Sequence, residues 1–566
     1  MLSETATTIL ERRYLLKDYE GKIIETPDEL FRRVADGVAE VHGDEEYADA
    51  WYDEMTNLRF LPNSPTLMNA GTGQGTLSAC FVLPVEDTME GIMGAARDAA
   101  MVQKFGGGTG FALSRLRPKG APISSTHGVA CGPIAVLKHL SSVSKLVTQG
   151  GKRDGANMAV MRVDHPDILE FISSKETEGD IHNFNISVGA TRSFMEAVKS
   201  DSDYALIDPS TGSESGRLRA RDVWNKIIDG AWRNGEPGMV FLDEVNRDHG
   251  LLGVGTIEAT NPCGEQPLLP NESCNLGSLV LSKFTDGQTF DFEAFGKSIR
   301  LAVRFLDNVI DANRYATEAI EQATKRTRKI GLGVMGWADT LIAHRIRYGS
   351  PESLEFARAV ASYLKEVADD ESESLARQRG AYPSSIDGRY RNACRLTVAP
   401  TGTISMLADA SSGIEPLFAL NFTKKNVLAT GGQDSAEFVY EHPLTGEVSG
   451  DILVTTKDVS PVEHVDMQAA WQEFIDSGVS KTINLPNDAT RSDIARAYLR
   501  AYDTRCKGIT VYRAGSREME VLVDNGKAAG GEPERPVDEC PVCGGGVAFV
   551  EGCKKCTVAG CGWSAC

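Results

Sequence analysis

Long apolar runs are missing from this sequence: no stretch of roughly 18 apolar residues occurs, which excludes a helical membrane span. Positive charge is scarce too. Lys and Arg number 59 against 79 Asp and Glu, a net charge of −20, which argues against a broad phosphate-binding face for DNA and leaves only local basic pockets. The opening residues Met1-Leu2-Ser3-Glu4 lack the basic patch and apolar core of a signal peptide, so the expected location is the cytoplasm. The nine histidines form no HExxH pair, and no tandem repeat is present. What is there is an ordinary globular composition, 41% hydrophobic and 24% charged. Its 566 residues leave room for three or four domains at about 150 residues each.

Cysteine is unevenly spread. Of 12, six lie between Cys540 and Cys566. In a reducing compartment they read as metal ligands, redox thiols or buried apolar residues rather than standing disulfides.

Thr26-Pro27-Asp28-Glu29 spells a capping box with Pro at the first helical position, and Leu30, Val34, Val38 and Val41 follow at helical spacing. Further helices are expected from Pro133, Pro166 and Asp222 and across Phe292 to Asn313. Phe81-Val82-Leu83, Met239 to Leu242 and Leu276 to Leu281 read as buried strands, so strand and helix alternate and the class is α/β. Gly, Pro and charge then dominate residues 516–539, a flexible linker spanning roughly 25–30 Å. The expected organisation is a helical region at 1–60, a catalytic domain at 61–515, the linker, and a tail at 540–566.

In the tail, Cys540-Pro541-Val542-Cys543 and Cys553-Lys554-Lys555-Cys556 are two CxxC knuckles. Four thiolates on two tight turns suit tetrahedral zinc; unligated surface thiols are the alternative. Cys561 and Cys566 lie five apart at the end of the sequence, where a dithiol suits disulfide exchange, unless one of them replaces a knuckle cysteine on the metal. In the body, Asn261-Pro262-Cys263-Gly264-Glu265 sets a thiol between an amide and a carboxylate in a loop forced by Pro and Gly, and Cys274 follows 11 residues later. By itself that is a structural loop with a buried cysteine.

Asn261 to Glu265 with Cys274 nevertheless resembles the active-site finger loop of the ribonucleotide reductase large subunit. The resemblance runs through most of the chain: Asn63-Ser64-Pro65-Thr66, Ser78-Ala79-Cys80-Phe81, Gly106 to Gly110, Arg115 to Gly120, Gln149 to Gly155, Pro400 to Ser405, and Gly413-Ile414-Glu415-Pro416. It implies a ten-stranded α/β barrel of two five-stranded halves, with Cys263 at the tip of a central finger and a small zinc ribbon behind. It also implies roles. Cys263 would carry the thiyl radical that takes the ribose 3′ hydrogen, Glu265 would accept the 3′ hydroxyl proton, and Asn261 would bind the ribose hydroxyls. Cys80 and Cys274 would reduce C2′ and finish as a disulfide, which Cys561 and Cys566 would reduce in turn before being reset by thioredoxin or a similar protein. A finger threaded into a barrel would shield the radical.

Pro400-Thr401-Gly402-Thr403-Ile404-Ser405 offers hydroxyls and backbone N–H groups, either as an anion site or as simple N-capping. The resemblance places the substrate phosphates there, with Thr66, Ala79 and Gly108 nearby. It makes Asp87 and Arg117 the deoxynucleotide effector site, and Gln149 and Arg153 the side chains that relay effector identity. Gly331-Leu332-Gly333-Val334-Met335-Gly336 spells GxGxxG but follows a basic segment rather than a clear strand, and reads as close backbone packing. Cys131, Cys394 and Cys506 are expected to be buried structural thiols.

The family has three radical sources. One uses a separate subunit and an adjacent tyrosine pair, and no Tyr-Tyr occurs here. A second uses a C-terminal glycyl radical, which Gly562 between cysteines does not resemble. The third, adenosylcobalamin, fits the Gly106 to Pro118 region and the cysteine-rich tail best. The short segment before Thr26 leaves no room for an ATP-binding cone. The expected enzyme is a homodimeric ribonucleoside-diphosphate reductase. Its rivals are a triphosphate-specific form, a form with a separate radical subunit, and a zinc-ribbon nucleic-acid binder, the last opposed by the negative charge.

Overall fold

The computed structural model describes residues 2–147, 156–176, 181–247, 249–251, 253–424, 438–441, 448–516, 522–524, 547–550, 553–556 and 564–565. It divides into two compact units, 1–524 and 525–566. The helix expected at Thr26 spans Pro27–Ala39; Glu29 N donates to Thr26 Oγ1 at 3.3 Å and Thr26 N donates to Glu29 Oε2 at 2.8 Å, closing the box. Its Leu30, Val34 and Val38 are buried. Val41 lies past the helix end and is exposed, because the chain turns at Gly43 with φ +65°. The other expected helices are Pro133–Leu146, Ile168–Ile172, Ala220–Asn234 and Phe292–Ala312.

Ten strands make one sheet: β1 Phe60–Pro62, β2 Cys80–Leu83, β3 Gly108–Ala112, β4 Asn157–Arg162, β5 Phe184–Ala190, β6 Gly238–Phe241, β7 Ser273–Val280, β8 Ile330–Met335, β9 Thr482–Leu485 and β10 Gly508–Arg513. Strands β2 to β6 are parallel neighbours in chain order. β7 and β8 pair in parallel, as do β9 and β10. The two groups meet antiparallel at β2–β7 and β6–β10. Isolated parallel bridges join Leu332 to Leu396 and Val398 to Val479, next to β8 and just before β9. The GxGxxG segment is therefore itself a buried strand, β8, and Gly331 and Gly333 leave space for Gln266 and the Thr397 backbone; the close-packing reading holds without a nucleotide loop. Residues 522–524, within the stretch read as linker, pair with Asn421–Lys424. In the second unit, Val547–Val550 pairs antiparallel with Cys553–Cys556, which pairs with Ser564–Ala565. Cys553 and Cys556 thus lie on extended backbone and not on the expected tight turn. Among the described residues no helix is long and apolar enough to cross a membrane.

Helices Phe292–Ala312 and Pro351–Arg379 pack together, capped by Asp291 and Ser350. Asp307, fully buried on the first, gathers charge from segments far apart: Arg328 Nη2 at 2.8 Å, Arg391 Nε at 3.2 Å, Arg379 Nη1 at 3.4 Å and Asn392 Nδ2 at 2.9 Å. Arg328 immediately precedes Lys329 and β8, so this knot fixes where β8 enters the sheet. Removing this anion leaves the buried Arg391 guanidinium without its carboxylate partner, while Arg328 keeps Asp311 and Arg379 keeps Asp44. Asp307→Asn should lower the denaturant midpoint by an amount equivalent to about 3–5 kcal/mol; a wild-type midpoint in equilibrium urea unfolding would show that the knot does not hold the fold.

Candidate active site

The segment Ala259 to Leu268 is a hairpin: Ala259–Thr260 pairs antiparallel with Pro267–Leu268, and Asn261 to Gln266 form its tip. Asn261 closes the tip on itself, its N donating to Gln266 O at 3.2 Å and its Oδ1 accepting from Gln266 N at 2.9 Å. Gly264 takes φ +80°, the left-handed conformation such a turn needs. Two sides of the sheet hold the tip. Asn185 Nδ2 on β5 donates to Pro262 O at 2.9 Å, while Thr397 Oγ1 and Gly478 N, both at 2.8 Å, donate to Glu265 O. The finger lies against β3 with no side chain between: a Cβ on Gly110 would stand 1.8 Å from Thr260 O, and one on Gly108 would stand 3.0 Å from Pro262 Cγ. Gly108 and Gly110 face the finger because alternate residues of a strand share a face; Thr109 turns to Gln103 and Asn157 behind.

Cys80 and Cys274 are directly opposed across the antiparallel β2–β7 pair. Such pairs have Cα atoms about 4.5–5.5 Å apart, inside the range a disulfide spans. Asn261 Nδ2 donates to Cys80 Sγ at 3.1 Å, and Cys80 Sγ donates to Glu265 Oε1 at 3.8 Å. Both thiols, Asn261 and Glu265 are buried. Burial, then Glu265, Cys274 and Cys263, push the Cys80 thiol well above its ordinary range; burial and then Cys394 do the same to Cys274, against the opposing charge of Lys329. Both sulfurs are therefore protonated at neutral pH and can give up hydrogen atoms. Cys263 is exposed, but into a cavity of about 370 Å³ that it shares with Gly264, Pro400, Lys481 and strands β4, β5, β6, β9 and β10. A cavity, not close packing, surrounds this thiol.

The five residues expected to do chemistry thus meet in one place. Pro400 lines the cavity together with Cys263. Ala79 O accepts from Gly108 N at 2.8 Å beside Cys80, and the Thr66 hydroxyl lies 3.0 Å from Leu77 O. Thr401 is buried at φ +48°, an outlier for a β-branched residue, and its Oγ1 accepts from Gly413 N at 2.8 Å. Thr403 Oγ1 accepts from Arg13 Nη1 at 2.8 Å ahead of the short helix Ile404–Leu407. Asp87 and Arg117 form a 2.7 Å ion pair. Cys394 and Cys506 are buried as expected, whereas Cys131 is exposed, since it sits in the open connection between the Gly128–Val129 strand and the helix at Pro133. Gln149, Arg153, Cys540, Cys543, Cys561 and Cys566 lie outside the described residues, and Cys553 and Cys556 are described by backbone alone. Sequence reading missed Asn185, Thr397 and Gly478, which hold the backbone carbonyls of the tip and carry no motif of their own. It also missed the Glu272–Lys329 ion pair (2.7 Å) behind Cys274.

A cysteine-tipped finger inside a large α/β sheet, beside two cysteines opposed across neighbouring strands, defines the class of protein, and comparison agrees. The family model described as the ribonucleotide reductase barrel domain matches residues 78–389 and 385–512, and that of the ribonucleotide reductase all-alpha domain matches 1–75. The chain belongs to the ribonucleotide reductase family. It is 43% identical to a vitamin B12-dependent ribonucleoside-diphosphate reductase of Thermoplasma acidophilum, over 92% of this chain and 80% of that protein. It is 42% identical, with the same coverage, to one from Mycobacterium tuberculosis. Against a ribonucleoside-diphosphate reductase subunit alpha of Chlamydia trachomatis the identity falls to 27%, over 95% and 62% of the two chains.

Gly110→Ala should displace the finger or strain β3, lowering stability by about 1–3 kcal/mol as overpacking does. Gly94→Ala, on an open helix face where the new methyl meets nothing, should be neutral or stabilising. Equal thermal midpoints for the two variants would mean that the finger does not press on β3.

Proposed function

We propose that this protein reduces ribonucleoside diphosphates to 2′-deoxyribonucleotides by thiyl-radical chemistry, for DNA synthesis and repair. One observation carries the reading: Cys80 and Cys274 face each other across two strands, with Asn261 and Glu265 of the finger on the Cys80 sulfur. Cys263, as a thiyl radical, takes the 3′ hydrogen, and the Glu265 carboxylate accepts the 3′ hydroxyl proton. The 2′ hydroxyl leaves as water. The two thiols supply two hydrogens, one to the leaving hydroxyl and one to C2′, and one S–S bond forms; Glu265 returns its proton to O3′ and Cys263 its hydrogen to C3′. Asn261 orients the ribose hydroxyls with the same side chain that now contacts Cys80.

Adenosylcobalamin, when bound, supplies the radical by homolysis of its Co–C bond. The residues fit its nucleoside part: the cavity beside Cys263 has apolar walls at Met239, Val240, Ile509 and Val511 and polar edges at Asn185, Gln468 and Lys481. The names of the relatives and the lack of a Tyr-Tyr pair support the same choice over a separate radical subunit. The substrate phosphates lie at Pro400, Thr401, Gly402, Thr403 and Ile404, with Thr66, Ala79 and Gly108 alongside; Arg13, which reaches Thr403, brings positive charge to that end. Asp87 and Arg117, with Gln149 and Arg153, bind a deoxynucleotide effector and relay its identity.

The sheet closes into a ten-stranded barrel. Supporting this are the bridges at Leu396 and Val398, which supply the strand between β8 and the segment entering β9, giving two parallel groups of five set antiparallel. The domain limits are those read from sequence, 1–60, 61–515, 516–539 and 540–566. Homodimerisation uses helix Met89–Lys104, whose Met89, Met93 and Met101 form an exposed apolar stripe at helical spacing. In the tail, zinc on Cys540, Cys543, Cys553 and Cys556 holds a ribbon, and Cys561 with Cys566 carries electrons from thioredoxin or a similar dithiol protein. The protein works in the cytoplasm, where the six cysteines of the body, none of them in a disulfide, stay reduced.

Cys263→Ser should abolish deoxynucleotide formation in an anaerobic assay with adenosylcobalamin, all four diphosphates and dithiothreitol, while circular dichroism stays that of the wild type. Product above background would refute the radical assignment. Cys566→Ser should lose thioredoxin-supported turnover, keep much of the dithiothreitol-supported turnover, and retain about one zinc per chain, because a small dithiol bypasses the shuttle without touching the metal. Loss of zinc, or full turnover with thioredoxin, would overturn this division of the tail.

A further inference from the structure

The Cys80–Cys274 pair must be re-reduced after every turnover, and its two sulfurs stand in different surroundings. Cys80 adjoins the finger and the substrate site; Cys274 lies deeper, its Sγ donating to Lys329 O at 3.6 Å. Asn275 pairs with Ile330 in parallel register, so Cys274 and Lys329 stand one residue earlier on neighbouring strands and leave the sheet on the same face. Lys329 is 1% exposed. Its ammonium is held by Glu272 Oε2 at 2.7 Å, and Glu272 is itself fixed by Leu269 N and Thr327 Oγ1, both at 2.6 Å. Glu272 is two residues before Cys274, on the same face of the same chain. A fully buried, fully ligated ion pair is costly to build and adds little net stability over apolar residues. Its placement against one of two redox sulfurs therefore calls for another reason.

We propose that Lys329, clamped by Glu272, is a positioning residue for disulfide reduction: its charge stabilises Cys274 as the departing thiolate, so that an incoming dithiol attacks the sulfur of Cys80. This rests on the redox role assigned above to Cys80 and Cys274. The step balances. A thiolate of the reductant forms a bond to Cys80 Sγ, the Cys80–Cys274 bond breaks, and its electron pair leaves on Cys274. The second thiol of the reductant then displaces Cys80, and both protein sulfurs take up protons. The net change is one dithiol oxidised and one disulfide reduced. In thiol exchange a better-stabilised leaving thiolate departs faster. Charge supports the direction. Lys329 is the cation beside Cys274 and favours its thiolate; burial and Cys394 oppose it more strongly, and Glu272 and Glu265 each oppose it less. The charges acting on Cys80, from Glu265, Cys274 and Cys263, all disfavour a thiolate there. His249, close to Lys329 and Glu272, is buried and held down to about 4, chiefly by burial and then by Lys329, so it is neutral and does not compete for Glu272. Cys394 lies one strand beyond β8 and its thiol also acts on Cys274, so peptide mapping must separate a Cys80–Cys274 disulfide from a Cys274–Cys394 one.

The test uses full-length protein oxidised with diamide, with the Cys80–Cys274 disulfide first verified by peptide mass mapping. Lys329→Met leaves Glu272 as a buried unpaired charge and can fail to fold, so the working variant is Lys329→Met with Glu272→Gln, which removes both charges at similar volume; Lys329→Arg is the conservative companion. Dithiothreitol reduction, followed by acid quench and alkylation, should be at least tenfold slower in the double variant than in wild type and should recover in Lys329→Arg. With 2-mercaptoethanol, wild type should carry the mixed disulfide on Cys80 and a free thiol on Cys274. A double variant that is reduced at the wild-type rate, or a wild-type mixed disulfide on Cys274, would overturn the proposal while leaving the redox pair intact. If no Cys80–Cys274 disulfide forms in wild type, the assigned redox role falls and this inference falls with it.

Discussion

The Thr260 carbonyl oxygen lies where a side chain on Gly110 would begin, 1.8 Å from the position of its Cβ, and Gly478 meets Gly264 O in the same manner at 2.6 Å. A carbonyl can approach the backbone at this range only where the residue it meets carries no Cβ, as at Gly110 and Gly478. The finger can enter the interior because β3 presents Gly108 and Gly110 on one face and Gly478 closes the opposite side. Everything chemical follows from that entry. It sets Asn261 and Glu265 on Cys80, and turns Cys263 toward the cavity. A buried irregular loop must also satisfy its own polar groups. Asn185, Thr397 and Gly478 supply hydrogen bonds to two of its carbonyl oxygens, and Asn261 and Gln266 bond to each other. The same contacts that remove the cost of burial fix the tip from both halves of the sheet.

Charge is used in the interior in a similar way. Asp307 collects Arg328, Arg379 and Arg391, and Glu272 collects Lys329. Arg328 and Lys329 are consecutive, so two buried networks grip one dipeptide at the mouth of β8. Buried pairs of this kind contribute little net stability against apolar replacements, yet breaking one is severe because the remaining charge has no solvent. Their effect is to forbid alternative registers at β8. β8 lies beside β7, and β7 carries Cys274. A slip of one residue would move every side chain of the strand to the other face. The electrostatics thus protect the geometry of the opposed Cys80 and Cys274 even before any part they play in the proposed chemistry.

What could be read beforehand was local. The box at Thr26 and the apolar spacing after it specify a helix without tertiary help, and the structure builds it. The runs at Phe81, Met239 and Leu276 specify buried strands, because buried parallel strands are apolar on both faces. Asn261-Pro262-Cys263-Gly264-Glu265 announces a turn, though only the family pattern gave that turn a function. Less visible were contacts made through backbone atoms. Nothing in the residue types of Thr397 or Gly478 says that Glu265 O will stand between them. The GxGxxG at Gly331 misleads for the opposite reason: glycines kept for close packing and glycines kept for phosphate look identical in one dimension. Val41 and Cys131 fail at boundaries, where a turn or an open connection overrides the local pattern.

The position of the dithiol follows from topology more than from any motif. Within either parallel group, neighbouring strands arrive through long crossovers and point the same way. Where the groups meet, at β2 with β7 and at β6 with β10, antiparallel strands lie side by side, and β1 adds a further antiparallel neighbour to β7. The pairing of β2 with β7 is short, and Cys80 and Cys274 occupy it at the first turn of each strand. Directly opposed residues of an antiparallel pair sit within disulfide range without any shift of backbone. The sulfurs can therefore pass between thiol and disulfide while the sheet stays still, and the finger need not move to follow them. A pair carried on loops would make the same bond only by closing a gap on every turnover. Placed at the seam between two parallel groups, a bond of the kind proposed would form and break inside a frame whose other hydrogen bonds are untouched.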